Sequence, residues 1–129
     1  MITLRRPIVF IFALMLVLAL AVTASAQGST KRVALVIQFP DHSYTEIVTV
    51  PETATTADVL KEAVIPVGIA QLPFGPGLCN IDGVGNPVDD CFADPNHYSA
   101  YFQLNGSQSA NAQTGIGGYV PGDEAVEGF

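Results

Sequence analysis

Downstream of its first 26 residues the chain has one segment with helical periodicity and its own start and stop, "TATTADVLKEAV" from Thr53 to Val64. That restricts the fold to a single helix among strands. Thr55 stands three residues before Asp58, the spacing of a capping box with Asp in place of Glu, in which side chains satisfy the free N–H groups of the first turn. Val59 and Ala63 are four apart, as are Leu60 and Val64, which predicts one apolar stripe with Lys61 and Glu62 facing water. Pro66, which cannot continue a helical hydrogen-bond ladder, and Gly68 close the segment after about three turns.

The rest of the chain reads as strands and turns. "RVALVIQF" (Arg32 to Phe39) is apolar and β-branched, "PDHSY" supplies turn residues, and "TEIVTV" (Thr45 to Val50) alternates, so the two form a hairpin ahead of the helix. Residues 67–96 are rich in Gly, Pro, Asn and Asp, show little periodicity, and are expected to form an irregular crossover. "HYSAYFQLNG" (His97 to Gly106) alternates again. Tyr98, Ala100, Phe102 and Leu104 are expected to face the core, with Ser99, Tyr101 and Gln103 on the opposite, exposed face. Asn105-Gly106 is a two-residue hairpin signal. A polar, glycine-rich return follows, then a turn at Pro121-Gly122-Asp123 and a short final strand. The expected class is α+β, β-grasp-like, with a mostly antiparallel sheet packed on one helix in the order ββαβββ. It occupies residues 32–129 without internal repeats or a second domain.

The amino terminus sets the compartment. Arg5 and Arg6 precede an unbroken apolar run of 15 residues, Ile8 to Val22, and "TASAQ" places Ala24 and Ala26 at a small-residue cleavage site. This is the pattern of a secretory signal peptide over residues 1–26, the run being short for a membrane span of about 20 residues. Residues 27–31 then form a linker. The expected location is secreted or extracytoplasmic, with membrane contact only through the signal segment if it is uncleaved. Without the leader, three basic residues (Lys31, Arg32, Lys61) face 12 acids, a balance more negative than the −7 of the whole chain. Such a surface repels nucleic acid and anionic lipid.

Export bears on the only two cysteines, Cys79 and Cys91. Outside the cytoplasm they are expected to pair with each other, and their spacing is too wide for a CxxC redox motif. Closing that loop stabilises by roughly 3 kcal/mol. The stretch between them offers hard oxygen donors in Asn80, Asp82, Asn86, Asp89 and Asp90, the kind calcium takes, although the spacing excludes an EF-hand. A turn-rich loop in which Asx side chains bond local backbone is the expected alternative, with no metal required. His42 and His97 stand apart from any nucleophile motif, no carboxylate pair is marked for acid–base work, and no phosphate-cradling loop occurs. An enzyme is not expected. What is left is a surface: Tyr101, Gln103 and Tyr119 offer aromatic and amide groups suited to a small molecule or a protein partner.

Several segments together carry a family resemblance. "YFQLNG" followed by "TGIGGYVPGDEAVE" is similar to the carboxy-terminal domain of the transcobalamin and intrinsic factor family, with its "YWQL"-like strand, "GIADY"-like turn and "DGE"-like final hairpin. "TTADVLKEA" after a strand pair resembles the opening of that domain. The stretch Cys79 to Phe92 matches the "C-x-I-x-G-x-G-x-P-x-x-D-C-F" pattern of bacterial secreted proteins with a transcobalamin-like domain (DUF4430). The resemblance spans about residues 32–129. It implies a module that covers the upper face of a corrinoid such as cobalamin, with the other side supplied by a separate helical domain. The contact loop of that family maps to Ala112, Gln113 and Thr114, and Gln103 and Tyr119 match neighbouring positions. The family's strand tryptophan is Phe102 here, which keeps apolar bulk and loses the indole N–H. The helical domain has no counterpart in these residues, so half of a site is expected, completed by a partner. The alternative is a cell-surface protein-interaction module without a small ligand.

Overall fold

The computed structural model describes residues 28–105 and 107–129. The expected signal peptide, and the glycine of the Asn105-Gly106 turn, lie outside the described residues. No helix among the described residues is long and apolar enough to cross a membrane.

Strands β1 (Thr30–Gln38) and β2 (Ser43–Pro51) form the expected hairpin, in register from Thr30↔Pro51 to Gln38↔Ser43. Thr30 and Lys31, read from sequence as linker, are the first two residues of β1. Alternate residues Val33, Leu35 and Ile37 are buried, as are Val48 and Val50 of β2, so one face of the hairpin is core.

Helix α1 (Thr56–Glu62) starts where the capping box puts it, with Thr55 and Asp58 bonding reciprocally. Hydrogen bonds from Thr55 hold the Asp58 carboxyl below its ordinary range. The helix ends earlier than expected. Ala63 is already extended, and the Val64 N–H is taken by the Glu46 carboxylate at 2.9 and 3.1 Å. Val64 is therefore exposed, and the Leu60/Val64 stripe is not realised. Two other helix N–H groups bond across the fold, Thr56 to the Tyr119 carbonyl (3.0 Å) and Ala57 to that of Ile116 (2.9 Å). The glycine-rich return thus packs over the start of the helix.

Among the described residues six strands follow the helix, not three. Within the supposed irregular crossover, β3 (Val67–Leu72), β4 (Gly75–Ile81) and β5 (Val84–Gly85) form a separate antiparallel sheet in that order. Its turns explain the composition. Asp82 and Gly83 have φ of 49° and 76°, the left-handed pair that a tight two-residue hairpin needs. Gly75, after the Pro73-Phe74 turn, sits at φ 114°, a backbone conformation that residues with a side chain rarely adopt.

β6 (Phe102–Asn105), β7 (Gln108–Asn111) and β8 (Ala125–Gly128) join the first hairpin in a five-stranded sheet ordered β2-β1-β8-β6-β7. β8 runs parallel to β1, Val33↔Ala125 to Val36↔Gly128, and every other pairing is antiparallel. The Asp123 carboxylate accepts from the Arg32 N–H at 2.8 Å, and the Glu124 N–H donates to the Arg32 carbonyl at 2.8 Å, which sets the direction of β8. The core lies between this sheet, α1 and the smaller sheet. It is built on Val33, Leu35, Val48, Val50, Ala57, Val59, Leu60 and Ile116, with a second cluster at Ile37, Phe39, Ile65 and Ile81.

The face assignment of the "HYSAYFQLNG" segment is reversed. In the β6–β8 register Gln103 lies opposite Glu127, and Glu127 lies opposite Leu35 on the helix-facing side. Gln103 and Tyr101 thus point inward. Phe102 and Leu104 occupy the outer face, and Tyr98, ahead of the strand, is 76% exposed.

Candidate functional site

Beneath the helix, polar side chains from four segments converge. Glu127 is buried on β8, and its carboxylate accepts a hydrogen bond from the Tyr101 hydroxyl. The same hydroxyl is 2.9 Å from Thr56 Oγ1 and accepts from Gln103 Nε2 at 3.2 Å. Burial raises the Glu127 carboxyl above its ordinary value, while the bond from Tyr101 and the charge of Lys31 pull it back. Burial, and then the neighbouring carboxylate, also raises the Tyr101 hydroxyl, so it stays protonated and donates at neutral pH. Lys31, equally buried, is held by three backbone carbonyls, those of Glu52, Ala54 and Pro121, at 2.8, 2.9 and 2.6 Å. All buried side-chain polar atoms among the described residues have partners.

The Tyr101 ring stacks on Phe129, with centroids 5.0 Å apart and planes within 4°. Its edge reaches a groove of about 420 Å³ between the β3–β4 hairpin and the glycine-rich return, lined by Phe74, Pro76, Leu78, Thr114 and Ile116 among others. Of the six ligand-binding residues read from sequence, Tyr101 and Thr114 meet in this groove. Gln103 adjoins it through its bond to the Tyr101 hydroxyl. Ala112 adjoins it through its N–H to the Tyr101 carbonyl at 3.0 Å. Gln113 is exposed, with its amide turned to the Asn111 carbonyl at 3.2 Å. Tyr119 does not line the groove; its carbonyl serves the helix start. The expectation that Tyr101 stands on an exposed face is therefore corrected. Its hydroxyl is tied inward because Glu127 needs a donor in the core.

Sequence reasoning missed Thr56, Glu127 and Phe129. The second acid of "EAVEGF", set among apolar and small residues, was the available signal for Glu127.

A larger groove of about 740 Å³ lies on the outer face of the five-stranded sheet. Val36, Phe102, Leu104, Val126 and Gly128 form its floor, and the segment Asn96–Ala100 forms one wall. Ser99 and Phe129 line both grooves.

The crossover that supplies this wall is fixed by two devices. Cys79 and Cys91 are disulfide-bonded, as expected, with Cα atoms 4.9 Å apart. Inside the closed loop, Asn86 is buried; its amide donates to the carbonyls of Asp94 (3.0 Å) and His97 (2.7 Å) and accepts from the Asp94 N–H (2.9 Å). Asn80 donates to the Asn86 carbonyl at 2.7 Å. Of the five residues considered for calcium, Asn86 has its side-chain oxygen engaged by a backbone N–H, and Asn80 has its amide nitrogen bonded to a backbone carbonyl. No group of three or more His, Cys, Asp or Glu side chains converges among the described residues.

No family model matches the chain, and no curated protein does. Among solved structures, the fold is similar to that of haptocorrin in complex with Cbi, with a TM-score of 0.58 and 20% sequence identity. That likeness covers 81% of this chain and 27% of the haptocorrin chain, so this protein spans about a quarter of its length. At this identity the likeness is one of fold.

Proposed function

We propose that this chain is an exported, non-enzymatic small-molecule-binding module of transcobalamin-like type whose ligand is a corrinoid. One observation carries the reading: the chain has the fold of one portion of a protein solved with a corrinoid, and Thr114, which the family resemblance puts in the contact loop, meets Tyr101, read from sequence as a binding aromatic, in one groove. The parallel pairing of β1 with β8 beneath a single helix supports a β-grasp-like reading of that fold. The disulfide suits an extracytoplasmic location. With no family model matching, membership of DUF4430 rests on the residues alone.

In this reading the groove is one wall of a site. Thr114, Gln113 and Ala112 form its adaptable rim, Tyr101 and Gln103 its ordered base, Tyr119 supports the return from behind, and a partner covers the ligand's other side. Absorbance titration of cobalamin and cobinamide with the purified protein tests it. A saturable spectral shift, weakened by Thr114→Ala or Gln113→Ala, is expected; a flat response confirmed by calorimetry overturns the corrinoid assignment.

A second reading, a cell-surface protein-interaction module, is favoured by the exposed pair Phe74 and Phe92, whose ring centroids are 6.5 Å apart. Pulling down a surface partner that is lost on Phe74→Ser would support it.

A further inference from the structure

The outer groove has a feature that the rest of the sheet lacks. Its floor is interrupted at Gly128, which sits between Val36 of β1 and Phe102 of β6 on the outer face. A Cβ at this position would meet only ordinary contacts, 3.5 Å to Phe102 Cβ, 3.7 Å to the Phe102 carbonyl oxygen and 3.9 Å to that of Val36. No close approach within the protein requires glycine here, and its φ is not in the left-handed range. Glycine inside a strand gives up packing and chain entropy, and it often marks a place where something else comes close to the backbone.

The rest of the lining says what that something is. Val36, Phe102, Leu104 and Val126 give an apolar bed, and the polar groups (Gln38, Asn96, His97, Ser99, Ser109) are few and lie toward its rims. In a chain with 12 acids, no Asp, Glu, Lys or Arg among the described residues lines this groove, and His97 is the one titratable side chain among them that does so apart from Tyr98. The His97 Nδ1 lies 2.6 Å from the Asp94 carboxylate, so a negative charge accompanies that ring beside the groove and disfavours an anionic ligand there. The volume of about 740 Å³ falls in the range of small-molecule sites, roughly 300–1,000 Å³.

We infer that the outer groove over Gly128 is a binding site for an uncharged, elongated apolar small molecule, separate from the Tyr101–Thr114 groove. Leu104 and Val126 hold one end, the ligand lies across the glycine floor, and the segment Asn96–Ala100 flanks the other. The site does not depend on the corrinoid reading, and a flat cobalamin titration leaves it intact.

The test uses N-phenyl-1-naphthylamine, a neutral dye that fluoresces in apolar surroundings, with the purified protein. Saturable fluorescence is expected, displaced by dodecan-1-ol and at least about tenfold more weakly by dodecanoate. Gly128→Val, which fills the floor, is expected to weaken dye binding at least about tenfold while Thr114→Ala leaves it unchanged. Leu104→Asn, at the far end of the groove, is a second variant should Gly128→Val fail to fold. The proposal is overturned by absence of saturable binding, by binding that neither variant reduces, or by equal displacement with the anion. Light scattering that shows the groove closed by a second copy of the chain overturns it as well.

Discussion

Among the described residues, Glu127 and Lys31 are the two ionisable side chains that the fold buries. Because burial raises the Glu127 carboxyl above its ordinary 4.5, the folded protein holds that proton more tightly than the unfolded chain. Its contribution to stability is therefore greatest below that ordinary value and declines as pH rises through the folded pKa. Asp58 behaves in the opposite sense: its carboxyl is held low in the fold, so its contribution is present above its ordinary 3.8 and lost as pH falls through the folded value. Glu127→Gln keeps an acceptor for the Tyr101 hydroxyl and removes the charge. Its Tm relative to wild type should rise between about pH 5 and about pH 8, read by thermal melts in matched buffers. A constant difference across that range would mean that Glu127 is ionised in the fold at no cost. Lys31→Met should behave differently. It strands three carbonyls at once, and the expected loss is of order 3 kcal/mol in urea unfolding.

At the scale of elements, the disulfide and Asn86 divide one task. The Cys79–Cys91 bond closes the loop covalently, and Asn86 ties that loop to Asp94 and His97 with three hydrogen bonds. Reduction should lower stability by roughly 3 kcal/mol, seen as a lower Tm with dithiothreitol. Asn86→Ala should cost about 2–3 kcal/mol in the oxidised protein, because it leaves buried backbone groups without partners. What the sequence made legible at this scale is local. The capping box, the first hairpin and the disulfide each depend on residues close in the chain or on the compartment. The Asp82-Gly83 hairpin was equally local, flanked by Ile81 and Val84, but the surrounding Gly, Pro and Asn masked its two short strands. The inward turn of Tyr101 was not local. It depends on the register between β6 and β8 and on a buried acid that needs a donor, and neither is visible in an alternating pattern. Of the candidate site, Thr114 was legible only through resemblance, and Tyr101 was legible as a binding aromatic but with its direction reversed. The outer groove was not legible at all, since it exists only once β1, β8 and β6 lie side by side.

For the molecule as a whole, charge and site are kept apart. The chain carries a net −7, yet no Asp, Glu, Lys or Arg among the described residues lines either groove. A ligand entering them meets a neutral surface within an acidic field. Affinity at either groove for an uncharged ligand should therefore change less than about twofold between roughly 0.05 and 0.5 M salt, across which the Debye length shortens severalfold. A strong salt dependence in the dye titration would place the ligand near the acidic surface instead.

The position of β8 joins parts of the sheet that are far apart in the chain. This strand lies between β1 and β6 although it lies almost at the carboxyl end of the sequence. Until it inserts, the hairpin β1–β2 and the hairpin β6–β7 have no ladder between them, and each exposes an open edge of unpaired N–H and C=O groups that could recruit another chain. Contacts this distant in sequence form slowly, because loop closure must precede them. Insertion of four residues, Ala125–Gly128, thus both completes the hydrogen-bond ladder and covers one edge of each hairpin, leaving β2 and β7 as the outer strands of that sheet.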